Sequence, residues 1–251
     1  MKTKFPLLVI TLYLIIGSCH NKANSEINST LKTISDNKND SSFIKLPEPK
    51  YYSEISLEET LLKRRSVRDF KNKPISISDI SQILWAAYGI TKEIENSPAF
   101  LRGGLKTAPS AGALYPLEIY LVAGEIEKLE KGIYKYLPEK HALKLIIKGD
   151  FREELYRSAL NQKMIKDAPA NIVYSAVYER TTNKYGERGK KRYVCMDLGH
   201  SAQNVYLQAT ALGLGTCAIG AFNDDRVKTT INMPAEEEPL YIMPIGWAEE
   251  N

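Results

Sequence analysis

The apolar residues of this chain change period several times, and each change marks an element. Ile77, Ile80, Ile83, Leu84, Ala87 and Tyr88 recur at the spacing of one helical face, which predicts a helix after Ser76 with Gly89 as its stop. Before it, Ser56-Leu-Glu-Glu59 has the capping-box pattern and opens a shorter helix through about Arg64 or Arg65. Residues 91–107 carry no period, and Gly103-Gly104 reads as part of a mobile loop. Pro116 then gives a rigid entry to Leu117–Gly124, an unbroken apolar run that reads as a buried strand. Residues 132–136 and 143–147 predict a hairpin, Asp150 to about Leu160 a helix, and the alternating run Asn171–Tyr178 a strand. Glu179–Arg188 reads as a polar loop ahead of a long helix from about Lys190 to Leu212, striped by Ala202, Val205, Tyr206 and Ala209. Gly213-Leu-Gly215 ends that helix. A strand over Thr216–Phe222, a short helix over Asp224–Ile231 and a last strand over Leu240–Trp247 follow. Strands and helices mix without strict βαβ alternation, so the class is α+β, a sheet flanked by helices. Gly213, Gly215 and Gly220 follow a helix and open a strand, the reverse of the order a dinucleotide-binding turn requires.

The first 42 residues stand apart from this pattern. Lys2 and Lys4 precede an apolar run, Leu7–Ile16, that is short for a bilayer span, so residues 1–18 read as a signal segment. The run ends Ile16-Gly17-Ser18-Cys19, which resembles a bacterial lipobox whose cleavage leaves Cys19 as a lipidated N-terminus; the alternative reading is a plain secretory signal or a short membrane anchor. Of the 23 residues from 20 to 42, 16 are Asn, Ser, Lys, Asp or Glu, too little apolar surface to offset the entropy of ordering; residues 19–42 therefore read as a lipid-anchored flexible tether. Residues 43–251 remain as one folded domain, long enough to bury a full core.

Charge and composition narrow the chemistry by exclusion. The formal net charge is +4, and Lys2 and Lys4 leave with the signal, so the mature chain is nearly balanced and does not point to nucleic acid. Cys195 and Cys217 read as small buried residues, and His200, in mid-helix, as a packed histidine. No CxxC, HExxH, G-x-S-x-G or phosphate-loop GKS/GKT is present, and no metal is expected.

Two runs carry candidate chemistry. Arg64, Arg65 and Arg68 with Ser66, in Lys63-Arg-Arg-Ser-Val-Arg-Asp-Phe70, offer three guanidiniums and a hydroxyl at a helix end. That set suits a dianionic phosphate, each charge-assisted hydrogen bond contributing roughly 1.5–3 kcal/mol; the same arginines could instead answer the helix dipole, at about 0.3–1 kcal/mol each. In Ala108-Pro-Ser-Ala-Gly-Ala-Leu-Tyr-Pro-Leu-Glu-Ile-Tyr120, the small residues Pro109, Ser110, Ala111 and Gly112 leave backbone uncovered, so a flat ring can lie on it. Together they point to a phosphorylated flat cofactor.

These two runs, with Gly213-Leu-Gly-Thr-Cys-Ala-Ile-Gly-Ala-Phe222 and Tyr241-Ile-Met-Pro-Ile-Gly246, occur in one order that resembles the nitroreductase-like flavoprotein superfamily. PSAGALYPLEIY and Asn183-Lys-Tyr-Gly-Glu-Arg188 resemble its SagB-type dehydrogenase branch in particular, and the likeness covers about residues 55–247. The resemblance implies a nitroreductase-like fold with a central, mostly antiparallel sheet, a homodimer, and FMN at the subunit interface. It places Arg64, Arg65, Ser66 and Arg68 on the phosphate. Pro109, Ser110, Ala111 and Gly112 would border the isoalloxazine, with the backbone N–H groups of Ala218, Ile219 and Gly220 on its other side. Gln162 and Asn204, polar residues within apolar patterns, would reach flavin polar atoms. Lys184 and Tyr185 would remove a proton while the flavin takes a hydride, as oxidation of an azoline to an azole demands. Many nitroreductases carry basic residues after the last strand; Ala248-Glu-Glu-Asn251 supplies none, so the Arg64–Arg68 cluster would have to suffice or another residue helps.

The function expected from this reading is an FMN-dependent oxidoreductase, anchored through Cys19 to a bacterial membrane on the periplasmic side and acting on a small organic or azoline-type substrate. The alternative is a lipoprotein that keeps the fold but has lost catalysis and binds a flat ligand or a partner.

Overall fold

The computed structural model of the protein describes residues 43–249; the signal segment, Cys19 and the tether lie outside them. The chain order is β1 (Phe43–Lys45), α1 (Leu57–Lys63), α2 (Ile77–Tyr88), β2 (Ile90–Glu93), β3 (Gly104–Lys106), β4 (Leu117–Ala123), β5 (Gly132–Leu137) and β6 (Ala142–Lys148). Then follow α3 (Arg152–Ser158), α4 (Met164–Asp167), β7 (Ala170–Val177), α5 (Glu179–Tyr185), α6 (Val194–Ala211), β8 (Leu214–Thr216), α7 (Asp224–Ile231) and β9 (Glu237–Trp247). Seven strands form one sheet in the order β1-β6-β5-β4-β7-β9-β8, every neighbouring pair antiparallel.

The sheet is buried because its central strands are apolar on both faces. Leu117, Ile119, Leu121 and Ala123 of β4 join one core cluster with Ile80, Ile83, Leu84 and Ala87 of α2 and Val194, Leu198, Ala202 and Val205 of α6. The intervening Tyr120 and Val122 join a second cluster with Leu155 of α3, Ile165 of α4 and Val227 and Ile231 of α7. Period-two side-chain alternation thus yields three layers, two helices on one face and three on the other. Side chains close the helix starts where the sequence places caps: Ser56 accepts from Glu59 N–H, Ser76 from Asp79 N–H and Asn223 from Arg226 N–H.

The α+β class and the antiparallel sheet are as expected, while several local readings change. Residues 91–107 are not wholly irregular: β2 pairs with β3 across a ten-residue connection, residues 94–103, and the two glycines adopt positive φ where the chain enters β3. Glu179–Tyr185 is a helix rather than a loop, ended by Gly186 at φ 57°. β7 is buried on both faces instead of alternating. The run after Gly213 pairs only over Leu214–Thr216, with one further bridge from Ile219 to Ile242. Gly89 stops α2 as expected, but with extended backbone, and glycine is needed there because an added Cβ would strike the Trp85 ring. Cys217 is buried as expected, but Cys195 and His200 face outward from α6.

Gly215 shows how closely the arginine run is seated. Val67 N–H donates to Thr216 O at 2.9 Å, and a Cβ on Gly215 would lie 2.5 Å from Val67 Cβ. Gly215→Ala should therefore push residues 64–68 off β8 and cost about 1–3 kcal/mol, as overpacking does. Urea unfolding checks this, and an unchanged midpoint would show that the run is not held there.

Candidate functional site

The turn 109–115 is fastened to α6 by one carboxylate. Asp197, 3% exposed, accepts from Ser110 Oγ at 2.6 Å and from Ala111 N–H at 3.2 Å. Ser110 Oγ in turn accepts from Tyr115 N–H at 2.9 Å, closing the loop on itself. Burial pushes the Asp197 carboxyl up, and these two donors and His200 partly offset it. Gly112 sits at φ 65°, a left-handed conformation that favours glycine, and presents bare backbone outward. Pro109 is exposed beside it.

Over that backbone stand the two candidate catalytic side chains. A Cβ placed on Gly112 would lie 2.7 Å from Tyr185 Oη and 3.2 Å from Lys184 Nζ, although the residues are more than 70 positions apart. Lys184 is exposed and Tyr185 half-buried. The Tyr185 ring meets Tyr193 edge-on at 4.9 Å, and Arg188 Nε donates to Tyr193 Oη at 2.9 Å. Tyr193 closes a π-helical segment, Gly189–Tyr193, that leads into α6, a distortion often found at functional sites.

Beneath the turn lies a buried charge network. Glu118, 4% exposed, pairs with Arg180 at 2.6 Å, Arg102 at 2.8 Å and Lys135 at 3.2 Å. Lys135 also reaches Glu237 at 2.6 Å, whose other oxygen accepts from Ser175 and Tyr120. Burial would raise the Glu118 carboxyl, but Arg102, Lys135 and Arg180 together hold it below its ordinary value. Lys106 lies between the Tyr88 and Tyr115 rings, its Nζ 5.3 and 5.1 Å from their centroids. Burial, with Arg102 nearby, brings its pKa down to about 8.

The arginine run forms a second cluster. The Arg64 guanidinium lies 5.3 Å from the centroid of the Tyr206 ring, and Ser66 Oγ is 3.2 Å from Tyr206 Oη. That hydroxyl accepts from Ala218 N–H at 2.7 Å. Arg65 turns back to the carbonyls of Leu62 and Arg64, away from the cluster. Arg68 is exposed and acts on the buried Cys217 thiol, partly offsetting the rise that burial causes. None of the three guanidiniums has an acidic partner among the described residues, so the cluster suits an anion.

Three further site expectations change in detail. The Ala218 and Ile219 N–H groups are committed to Tyr206 Oη and Ile242 O, which leaves Gly220 N–H as the open donor of that trio. Gln162 gives its amide to the carbonyls of Ala159 and Ala221 and so holds the 220–222 segment. Asn204 gives its amide to the carbonyls of Ala86 and Thr107, anchoring the chain just before Pro109. Asp197 and Tyr206, which hold the two clusters, are nine positions apart on α6, about 13 Å at ~1.5 Å per residue. The structure adds Asp197, Tyr193, Tyr206, Glu118, Arg102 and Arg180 to the residues read from sequence. Glu118 had left a signal, a single acid in an otherwise apolar strand.

Residues 61–247 match the model of the nitroreductase family. Over 203 residues the chain is 46% identical to a protein of Methanocaldococcus jannaschii named as a nitroreductase, a match covering 81% of this chain and 95% of that one. It is 30% identical over 183 residues to the microcin B17-processing protein McbC of Escherichia coli, covering 70% of this chain and 63% of McbC. A crystal structure from Ralstonia eutropha, also named as a nitroreductase, superposes with a TM-score of 0.70 at 28% identity and covers 84% of this chain and 91% of that one.

Lys106 gives the site a measurable pH signature. Its folded pKa of about 8 lies below the ordinary 10.5, so between those values the unfolded chain binds more protons and stability rises with pH. Above about pH 10 the buried phenols of Tyr88, Tyr136 and Tyr174, whose pKa values burial raises, act in the opposite sense. Urea unfolding of wild type and Lys106→Met between about pH 7.5 and 9.5 should show wild type gaining on the variant by about 1 kcal/mol or more. A difference constant with pH would mean that Lys106 titrates normally.

Proposed function

The chain belongs to the nitroreductase family, and on that premise we propose that it is an FMN-dependent oxidoreductase that exchanges a hydride with a small organic substrate of the azoline type. Family membership supports oxidoreductase chemistry in general; the cofactor, substrate class and residue roles are the proposal. The observation that carries it is the meeting of Lys184 Nζ and Tyr185 Oη, both from α5, with the Gly112 backbone, which brings a candidate proton-accepting pair to the edge of the 109–115 turn.

In this reading Arg64, Ser66 and Arg68 hold the phosphate, and Tyr206 keeps Ser66 and the Ala218 segment together behind them. The turn from Pro109 to Gly112 would border the ring beside the face that Lys184 and Tyr185 occupy, and Gly220 N–H is the donor available from the other segment. FMN, when bound, supplies the two-electron acceptor. Oxidising an azoline to an azole removes one hydride and one proton, and the proton passes to the Lys184–Tyr185 pair. Tyr193 keeps the Tyr185 ring from swinging outward. Asp197 keeps the turn from moving under the substrate, because shifting it would strand a buried carboxylate.

The working form in this proposal is a homodimer. Leu57, Leu61 and Leu62 of α1 and Met196 of α6 are exposed, and a second copy would remove them from water. The lipobox-like run before Cys19 supports export and anchoring on the periplasmic side; the mass of the mature N-terminal peptide would reveal a diacylglyceryl cysteine or its absence.

The deciding experiment is the visible spectrum of the purified protein with FMN. One bound flavin per subunit is expected, and Arg64→Ala or Arg68→Ala should each weaken binding roughly 10- to 100-fold, the loss of one charge-assisted contact, with the circular dichroism unchanged. A folded protein that takes up no flavin would sink this reading and favour the ligand-binding alternative. With a thiazoline-4-carboxylate peptide ester as substrate, Lys184→Met should lower turnover by about 10²–10⁴, the usual worth of a positioned acid or base. Equal turnover would remove Lys184 from the chemistry.

A further inference from the structure

Little within α5 itself holds it in place, although Tyr193 packs on the Tyr185 ring at its end. It is seven residues long, too short to persist in water by itself. No side chain caps its start, Gly186 ends it at once, and Thr181 is its one buried residue. Yet this helix carries Lys184 and Tyr185, whose value depends on their position over Gly112.

We propose that Arg180, clamped by the buried Glu118, is the positioning residue that sets Lys184 and Tyr185 over the 109–115 turn. Arg180 and Lys184 are four positions apart, so they share a face of α5 one turn from each other. Its Nη1 pairs with Glu118 Oε1 at 2.6 Å and lies 3.4 Å from the carbonyl of Tyr115. Tyr115 ends the turn at φ 46°, and Arg102 Nη1 donates to the same carbonyl at 3.2 Å. One guanidinium therefore ties the helix bearing the proton-accepting pair to the last residue of the turn bearing Gly112. Glu118 is a firm anchor because it is buried in β4 and stays paired with Arg102 and Lys135 on two further elements. For the same reason the tether can be cut without leaving Glu118 unpaired. Replacing Glu118 would leave Arg102 and Arg180 without an acidic partner, whereas replacing Arg180, whose side chain is 30% exposed, removes one of the three partners of Glu118.

This inference rests on the roles proposed above for Lys184 and Tyr185, and its test separates the two. In Arg180→Met, hydrogen exchange of the flavin-free protein should rise at least tenfold across residues 179–186, with β4, β7 and the middle of α6 unchanged. FMN affinity should stay within about twofold, because the arginine run lies at the other end of α6. With the thiazoline ester, kcat should fall at least tenfold with little change in KM, and Arg180→Lys, which keeps the charge but not the planar guanidinium, should recover part of it. Unchanged exchange at 179–186, or a rise spread over the whole chain, would overturn the tether whether or not flavin binds. A local opening with unaltered kcat would overturn its catalytic purpose. If wild type takes up no flavin, the proposed function fails while exchange still decides the tether.

Discussion

A polar side chain buried on a long core helix must find a partner, and here the partners are the loops of the candidate site. α6 carries Asp197, Ser201, Asn204 and Tyr206 toward the interior. Asp197 takes Ser110 and Ala111, Ser201 the carbonyl of Ala87, Asn204 the carbonyls of Ala86 and Thr107, and Tyr206 the hydroxyl of Ser66 and the N–H of Ala218. Leaving any one unpaired would cost about 1–3 kcal/mol. The end of α2, the glycine-containing turn, the arginine run and the segment after β8 are thus located by one helix, and the site inherits its rigidity.

The sheet supplies the other constraint. Because β4 and β7 are apolar on both faces, helices must cover both, and the sheet becomes the middle layer. Within it, Glu118 and Glu237 share Lys135, and Glu118 also takes Arg102 and Arg180 from outside the sheet. A buried ion network is weak evidence of stability, since the desolvation of each charge offsets much of the attraction. Its consequence here is geometric: the guanidiniums converge on one carboxylate and on the Tyr115 carbonyl, which fixes where the hairpin loop and α5 meet the turn.

Together these constraints give the two clusters different characters. The arginine end of α6 has cationic groups without acidic partners, a phenol and an open N–H, the equipment of an anion site. The other end has bare backbone, a lysine and a tyrosine, with Tyr193 braced against Tyr185. Division of labour along one helix fits a cofactor with a charged tail and a flat head.

The elements with local signatures were legible from the chain. Apolar period and a capping serine gave α1 and α2 within two residues, and the run Asp224–Ile231 gave α7, because these signals lie within one or two turns of the residues they organise. The motif residues around Arg64, Gly112 and Lys184 were legible too. Their contacts were not. Glu179–Tyr185 has no apolar stripe and reads as a loop; it is helical where Arg180 meets Glu118, 62 positions away. Asp197 resembles any surface acid until the fold brings Ser110 and Ala111 to it, and the N–H groups of Ala218 and Ile219 seem free until Tyr206 and Ile242 claim them. The sequence by itself determined the helices and strands that carry local signals and which residue types could serve a phosphorylated flat ligand, because propensity and periodicity act between neighbours. Only the tertiary structure decided which polar groups are spent on the scaffold and which are left for chemistry, because hydrogen bonds and ion pairs in a buried layer are settled between segments that the chain keeps far apart.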